Sequence, residues 1–210
     1  MGKFCNILIM ARKKIGIDLD TTLNNLNDEW LDRYNLDYND NLKQWDCWNV
    51  ADCVKPECGK KIFNYLKEPN FFFKLSIRKN AVEVIDFLME YFDIYIVTAY
   101  LPETCLDKVN WVKKFIPKIN SENIIFINNK SLLDLDFLID DGPHNIQTFN
   151  PLKTAIIYDM PYNHFLDYDA FQTWDRVSNW NEIKQLFEEK YIIKESELVS
   201  RDKLLTFLQQ

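Results

Sequence analysis

The sequence predicts an α/β fold: a three-layer core around a mainly parallel sheet, with a small helical insertion after the first strand. Three observations predict it. Short β-branched runs alternate with helical patterns along the chain, the signature of βαβ units. Most of these runs are apolar throughout rather than at every second residue, as strands covered on both faces require. The alternation then lapses between residues 24 and 76, where no buried strand pattern occurs.

The elements follow in order. Lys14–Ile17 reads as the first strand. Beyond it, Trp30, Leu31 and Tyr34 mark a helix begun by Asn27, with Asp28 and Glu29 in its first turn, where acidic groups meet the positive end of the dipole. Trp45, Trp48, Val50, Ile62, Phe63, Leu66 and Phe71–Phe73 add apolar bulk. The whole stretch reads as a helical cap folded over the carboxyl end of strand one. Asn80-Ala-Val-Glu83 has the form of a capping box, with Val84, Phe87, Leu88 and Tyr91 behind it at helical spacing. Ile94–Val97 is the second strand. Pro102 opens an amphipathic helix carrying Leu106, Val109, Val112 and Phe115. Ile124–Ile127 is the third strand, Ser131–Leu135 a short helical segment, Phe137–Ile139 the fourth strand and Thr154–Tyr158 the fifth. Ser178 caps a last core helix with Ile183, Leu186 and Phe187, and the tail carries a helix around Leu198–Leu208. The expected organisation is a core of residues 13–23 and 77–190, a cap of 24–76 and a C-terminal helical tail of 191–210.

Composition narrows the function classes. The 210 residues are 47% hydrophobic and 15% aromatic, with four glycines and seven prolines, so the chain can bury a core and is not a linker-rich array. A net charge of −7 and no basic stripe argue against a nucleic-acid polymer as partner. No run approaches the ~18 apolar residues of a membrane span. The apolar stretch Phe4–Met10 is too short, and too poor in flanking basic residues, to read as a signal peptide. The five cysteines include no CxxC pair, and the spacing of Cys47, Cys53 and Cys58 fits no common zinc site. They read as free thiols in a reducing cytoplasm. His144 and His164 match no metal-ligand spacing.

Chemistry collects at the ends of the strands. Asp18-Leu-Asp20-Thr21-Thr22 follows strand one, Thr98 strand two, Lys130 strand three and Asp140-Asp141-Gly142 strand four. In a parallel sheet such ends converge on one crevice. Carboxylates grouped there can hold Mg²⁺, a hard cation that often shares a site with phosphate. A lysine and a threonine hydroxyl can bind the remaining phosphate oxygens. One aspartate can attack phosphorus, and a second can protonate the leaving oxygen and activate water.

This order of DxDxT, Thr, Lys and Asp-Asp resembles the haloacid dehalogenase (HAD) superfamily of phosphatases, whose core is a Rossmann-like three-layer fold. A closer likeness is to the 5′(3′)-deoxyribonucleotidases and their bacterial relatives. It rests on Ile139-Asp-Asp-Gly-Pro-His-Asn145, Tyr158-Asp-Met-Pro-Tyr-Asn163 and Arg176-Val-Ser-Asn-Trp-Asn-Glu-Ile183. The resemblance implies a Mg²⁺-dependent phosphomonoester hydrolase acting on a nucleoside monophosphate. Asp18 would be nucleophile and metal ligand. Asp20 would be general acid/base, giving its backbone oxygen to the metal. Asp141 would be the third protein ligand with Asp140 close by, the order within that pair being left open. Thr98 and Lys130 would bind phosphate, with Thr21 and Thr22 on the turn facing it. Trp45, Trp48, Phe71 and Phe72 are the cap aromatics placed to meet substrate. Mammalian-type members carry glycine where this chain has Thr21. The expected partner is a small phosphomonoester, with a homodimer left open. The rival readings are a HAD phosphatase for another phosphorylated metabolite and a non-catalytic Mg²⁺ or nucleotide-binding module.

Overall fold

The computed structural model describes residues 12–168 and 174–192. Phe4–Met10, Cys5 and the helix expected around Leu198–Leu208 lie outside them.

Six parallel strands form one sheet: β1 Lys14–Asp18, β2 Asp93–Thr98, β3 Ile124–Phe126, β4 Phe137–Asp140, β5 Thr154–Tyr158 and β6 Asp175–Val177. Their spatial order is β3-β2-β1-β4-β5-β6. The chain winds outward from β1 to β3, then returns to lay β4 against the other side of β1. The crevice between β1 and β4 is thus the switch point where open α/β sheets bind ligands. Pairing of Ile17 with both Ile96 and Ile139 brings the carboxyl ends of β1, β2 and β4 to one level. Ile15, Ile17, Ile96, Leu138, Ile139 and Ile156 are fully buried, which explains why these runs lack alternation. The three-residue β6 has too short an apolar signature to be read from sequence.

The helices are α1 Leu26–Tyr38, α2 Phe71–Lys74, α3 Ala81–Leu88, α4 Cys105–Phe115, α5 Pro143–Thr148 and α6 Trp180–Leu186. Helix α1 begins one residue before the expected Asn27, with Asp28 and Glu29 in its first turn. The capping box at Asn80 does not form: Asn80 has φ +64° and its side chain makes no cap bond, because a capping side chain reaches the helix amides from extended backbone. Its amide instead bonds Asn181 Oδ1 at 2.9 Å. The box stands at the start of α6, one residue past the expected Ser178. There Asn179 Oδ1 accepts from Glu182 N at 3.1 Å, and Glu182 Oε2 accepts from Ser178 N at 2.7 Å. The segment expected over Ser131–Leu135 shrinks to a single 3₁₀ turn, Lys130–Leu132, and α5 was not foreseen.

Residues 24–76 contain α1, α2 and the 3₁₀ segments Val50–Asp52 and Gly59–Lys67. An isolated antiparallel bridge between Asn24 and Ile77 closes the base of this insertion. Trp30 packs on Trp45 and Phe63 at 5.9 Å, and its indole N–H bonds Ile62 O at 3.0 Å. Cys47 and Cys53 correct the free-thiol expectation: the turn between them brings their Cα atoms to 6.3 Å and they are paired. Cys58 and Cys105 are free. Among the described residues no helix is long and apolar enough to cross a membrane.

Gly16, mid-way along β1, is needed for close packing. A Cβ there would stand 2.4 Å from Leu135 Cδ1 and 3.3 Å from Val97 Cγ2. Gly16→Ala is expected to lower stability by about 1–3 kcal/mol, the usual penalty for overpacking, measured by denaturant unfolding. A double-mutant cycle with Leu135→Ala should show favourable coupling; strictly additive losses would place the strain elsewhere.

Candidate functional site

Four acidic groups and two lysines meet at the carboxyl ends of β1, β2 and β4. Asp18 ends β1 and Asp140 ends β4, and the register sets them on neighbouring strands. Lys130, from the turn after β3, is buried between them. Its Nζ donates to Asp18 Oδ1 and, at 2.6 Å, to Asp140 Oδ2. The other oxygen of Asp140 accepts from Gly142 N at 2.7 Å and from Asn145 Nδ2 at 3.2 Å. Asp141 accepts from Thr22 Oγ1 at 3.2 Å and from the Tyr162 hydroxyl.

Asp20 belongs to a second set. Its Oδ2 accepts from Lys108 Nζ at 2.6 Å and Thr98 Oγ1 at 3.3 Å, and its Oδ1 from Asn24 Nδ2 at 3.2 Å. Lys108 also reaches Thr98 Oγ1 at 2.9 Å, and its ammonium lies 4.7 Å from the Phe72 ring centre. The turn between the aspartates and α1 is strained at one point: Thr21 has φ +68°, a region that L-residues adopt at a cost of roughly 1–2 kcal/mol. Asn24 Oδ1 holds it by accepting from the amides of Thr21 and Leu26, each at 3.0 Å. Arg78 Nε and Trp180 Nε1 bind the carbonyls of Thr21 and Thr22, each at 3.1 Å.

A cavity of about 370 Å³ opens above the carboxylates. Asp18, Asp20, Lys130 and Asp141 line its floor; Trp48, Phe63 and Val50 of the insertion line its roof. Thr22 and Thr98 are buried beside the floor and act on Asp141 and Asp20. Of the four insertion aromatics singled out in the sequence, Trp48 lines the cavity and is 48% exposed. Trp45, Phe71 and Phe72 are buried away from it; Trp45 donates to Asn27 O at 3.1 Å and packs on Tyr34. They fill the insertion, because a large ring next to a helix buries more area inside than at a rim.

Electrostatics identify what the site can hold. Oxygens of Asp18, Asp140 and Asp141 lie within 4.8 Å of one another, facing the single ammonium of Lys130. Burial holds the Asp18 carboxyl well above its ordinary range despite Lys130, and Asp140, Asp141 and Asp20 push the same way. Burial and then Asp140 raise Asp141 to about 7. Burial alone would depress Lys130, but Asp140 and Asp18 outweigh it and hold the ammonium charged. With all three ionised, these carboxylates against one ammonium would leave two negative charges in excess, which is the repulsion that raises Asp18 and Asp141 beyond what burial does. An all-oxygen donor set with that excess fits a hard divalent cation.

Lys108 is the residue that sequence reasoning missed. It sits on the amphipathic face of α4 as a lysine among Val109 and Val112, and the only signal was its one-turn distance from Thr104 and Trp111 on the buried side. Tyr162, which in the sequence stands only within the Tyr158–Asn163 stretch that carries the family likeness, bonds Asp141 directly, and Asn163 Nδ2 ties Asp141 O to Tyr158 O at 3.0 and 2.9 Å.

Comparison with known proteins gives the chain a family and a fold kinship. Residues 12–193 match the family model described as 5′ nucleotidase, deoxy (pyrimidine), cytosolic type C protein. A 5′(3′)-deoxyribonucleotidase of Clostridium acetobutylicum is 47% identical over 156 residues, covering 73% of this chain and 86% of the relative. Among solved structures, a haloacid dehalogenase-like hydrolase from Streptococcus pneumoniae superposes with TM-score 0.59 at 11% identity, over 84% of this chain and 98% of that one. A Bacillus subtilis HAD-hydrolase, solved with magnesium bound, has TM-score 0.52 at 13% identity, over 84% of this chain and 99% of that one. At such identities these two speak for the fold.

Two outcomes are expected from the site itself. Thr21→Gly should leave stability unchanged or raise it by up to about 1 kcal/mol, relief of the left-handed backbone offsetting the entropy of glycine; a clear loss in unfolding experiments would show that the Thr21 side chain contributes more than its backbone costs. Asp141, raised in the folded protein, favours folding while protonated. That stability is complete below about pH 4 and is lost as pH rises through the folded value of about 7. Without divalent cations, melting temperature should therefore fall from pH 5 to about 7.5 more steeply in the wild type than in Asp141→Asn. Parallel profiles would contradict the assignment.

Proposed function

The chain belongs to the cytosolic type C 5′-nucleotidase (5′(3′)-deoxyribonucleotidase) family of HAD-like phosphomonoester hydrolases, and on that premise we propose that it hydrolyses nucleoside monophosphates, deoxy forms included, through an aspartyl-phosphate and with Mg²⁺ as cofactor. The observation that carries this reading is the convergence of Asp18, Asp140, Asp141 and Lys130 at the floor of a cavity that an aromatic insertion roofs.

Asp18, Asp140 and Asp141 are the side chains that would hold the cation, with the Asp20 backbone oxygen as the fourth protein donor. When bound, the metal neutralises the carboxylate excess and draws charge from the phosphate oxygens. Asp18 attacks phosphorus with a carboxylate oxygen, the bond to the leaving oxygen breaks, and Asp20 gives that oxygen a proton. A water then attacks the phosphorus of the aspartyl-phosphate, passes a proton to Asp20, and releases Asp18 with inorganic phosphate. Asp20 starts engaged with Lys108 and Thr98. An arriving phosphate wants those same donors, so substrate entry competes for them and frees Asp20 to face the leaving group. Lys130 and Thr98 hold phosphate oxygens, and Lys130 keeps the Asp18 charge from repelling them.

Residues 24–76 act as the cap. They cover the leaving-group side, exclude water during attack and offer Trp48 as an apolar surface for a planar base. The volume of about 370 Å³ suits a small ligand rather than a polymer. Nothing long and apolar enough for a membrane helix occurs among the described residues, and a cytoplasmic enzyme meeting soluble nucleotides fits this reading.

The test is turnover of a phosphomonoester panel with and without Mg²⁺. Nucleoside monophosphates should be hydrolysed faster than sugar phosphates, and chelation should abolish activity. Asp18→Asn should lower kcat at least ~10³-fold, as losing a nucleophile does, while the folded protein persists. Equal rates on sugar phosphates would reject the nucleotide assignment; an active Asp18→Asn variant would reject the covalent route.

A further inference from the structure

Tyr162 joins the insertion to the carboxylate cluster. It lies on the 3₁₀ segment Pro161–Tyr168 that follows β5, and it is buried. Its hydroxyl has one hydrogen, which goes to Asp141 Oδ2. The oxygen is left to accept, and Asn27 Nδ2 donates to it at 3.0 Å. The two bonds therefore run in one direction, from Asn27 on α1, through the phenol, to Asp141.

Other contacts fix both ends. Asn27 is held by its carbonyl, which accepts from Trp45 Nε1 at 3.1 Å. The Tyr162 ring meets Trp48 edge-on, 5.5 Å between centres. Trp48 in turn presses on Gly142, where an added Cβ would stand 3.2 Å from its Cη2. On the core side, Asn163 clamps the loop: its Oδ1 accepts from Met160 N at 3.2 Å and Arg176 Nη1 at 2.6 Å. Tyr162 is thus rigid with respect to the sheet while its hydroxyl answers to α1.

We propose that Tyr162 is a positioning residue that couples the seating of α1 to the divalent-cation affinity of the Asp141 carboxylate. The inference rests on the metal reading given above and deepens it. With α1 in place, the polarised hydroxyl fixes one Asp141 oxygen and Thr22 the other, so the carboxylate is held where its oxygens come within 4.8 Å of those of Asp18 and Asp140. Outer-shell partners of this kind are worth roughly 10–100-fold in metal affinity.

The experiment titrates Mg²⁺ into the substrate-free full chain by calorimetry, for the wild type, Tyr162→Phe, Asn27→Ala and the double variant. Melting in chelator is measured in parallel. Tyr162→Phe keeps the ring and its contact with Trp48. It should weaken Mg²⁺ binding about 10–100-fold; Asn27→Ala, which does not touch Asp141, should weaken it less, and the double variant should be no worse than Tyr162→Phe. In turnover, the Mg²⁺ midpoint should shift with kcat at saturating Mg²⁺ recovering. Tyr162→Phe binding Mg²⁺ within about twofold of the wild type, or the two substitutions adding as independent sites do, would overturn the coupling, as would a lower melting point with unchanged affinity. No binding to the wild type would instead overturn the metal reading, an outcome told apart by the wild-type titration alone.

Discussion

The site depends on one ammonium held between two buried carboxylates. Lys130 is 3% exposed, Asp18 7% and Asp140 1%, so all three have given up most of their hydration. Such burial is costly unless the partners meet with good geometry. The sheet supplies that geometry. Adjacent β1 and β4 end at the same level, so Asp18 and Asp140 stand side by side. Lys130 arrives from β3, on the far side of β2, over a loop that Asn128 Oδ1 ties to Tyr100 N at 2.8 Å. Remove the lysine and two carboxylates face each other across a strand gap. Remove a carboxylate and an ammonium is left buried with half its compensation.

The turn after β1 shows how the rest of the chain serves that arrangement. Asp18 and Asp20 are two residues apart but point into different sets of partners, and the chain changes direction sharply just beyond them, at Thr21. Five groups from four places hold the change: Asn24 within the turn, Arg78 after the insertion, Trp180 on α6, and Thr22 and Tyr162 meeting at Asp141. The Asn24–Ile77 bridge brings Arg78 to the turn. The insertion is therefore not a separate lobe loosely hinged at its base; its closing residues hold the turn that follows the aspartates. Preorganisation of this kind keeps charged groups fixed before substrate arrives.

Legibility in the sequence followed the physics of each element. Strands buried on both faces leave unbroken apolar runs, so β1, β2, β4 and β5 were readable to within a residue or so. The three residues of β6 at the sheet edge left no such run. Asn80-Ala-Val-Glu83 has the letters of a capping box, but letters do not fix the backbone angle of the capping residue, and here it is left-handed. The acidic motifs were readable because each is polar immediately behind an apolar strand. Lys108 was not, because a lysine on an amphipathic helix normally lies on the solvated side, and only the fold reveals that this one turns inward to Asp20. Trp45 and Trp48 are three residues apart and chemically alike; one is buried by Tyr34 and Trp30, the other is left over the cavity. Sequence alone cannot separate those fates.

The two lysines divide the electrostatic work. Lys130 bridges Asp18 and Asp140, whereas Lys108 faces Asp20. One is shared between two anions and stays put. The other shares its hydrogen bonds with a threonine hydroxyl and a carbonyl, partners that a phosphate oxygen can replace. For a chain of net charge −7 that must accept a dianion, this matters more than the overall field. Attraction cannot come from the surface at large, so on the proposed reading it would be concentrated beside the two lysines. One ammonium, that of Lys130, lines the floor and a second, that of Lys108, lies behind Asp20; four ionised aspartates against these two would leave an excess of the size that a divalent cation cancels. On the proposed reading, binding of cation and substrate would become mutually dependent, because each supplies the charge that the other lacks.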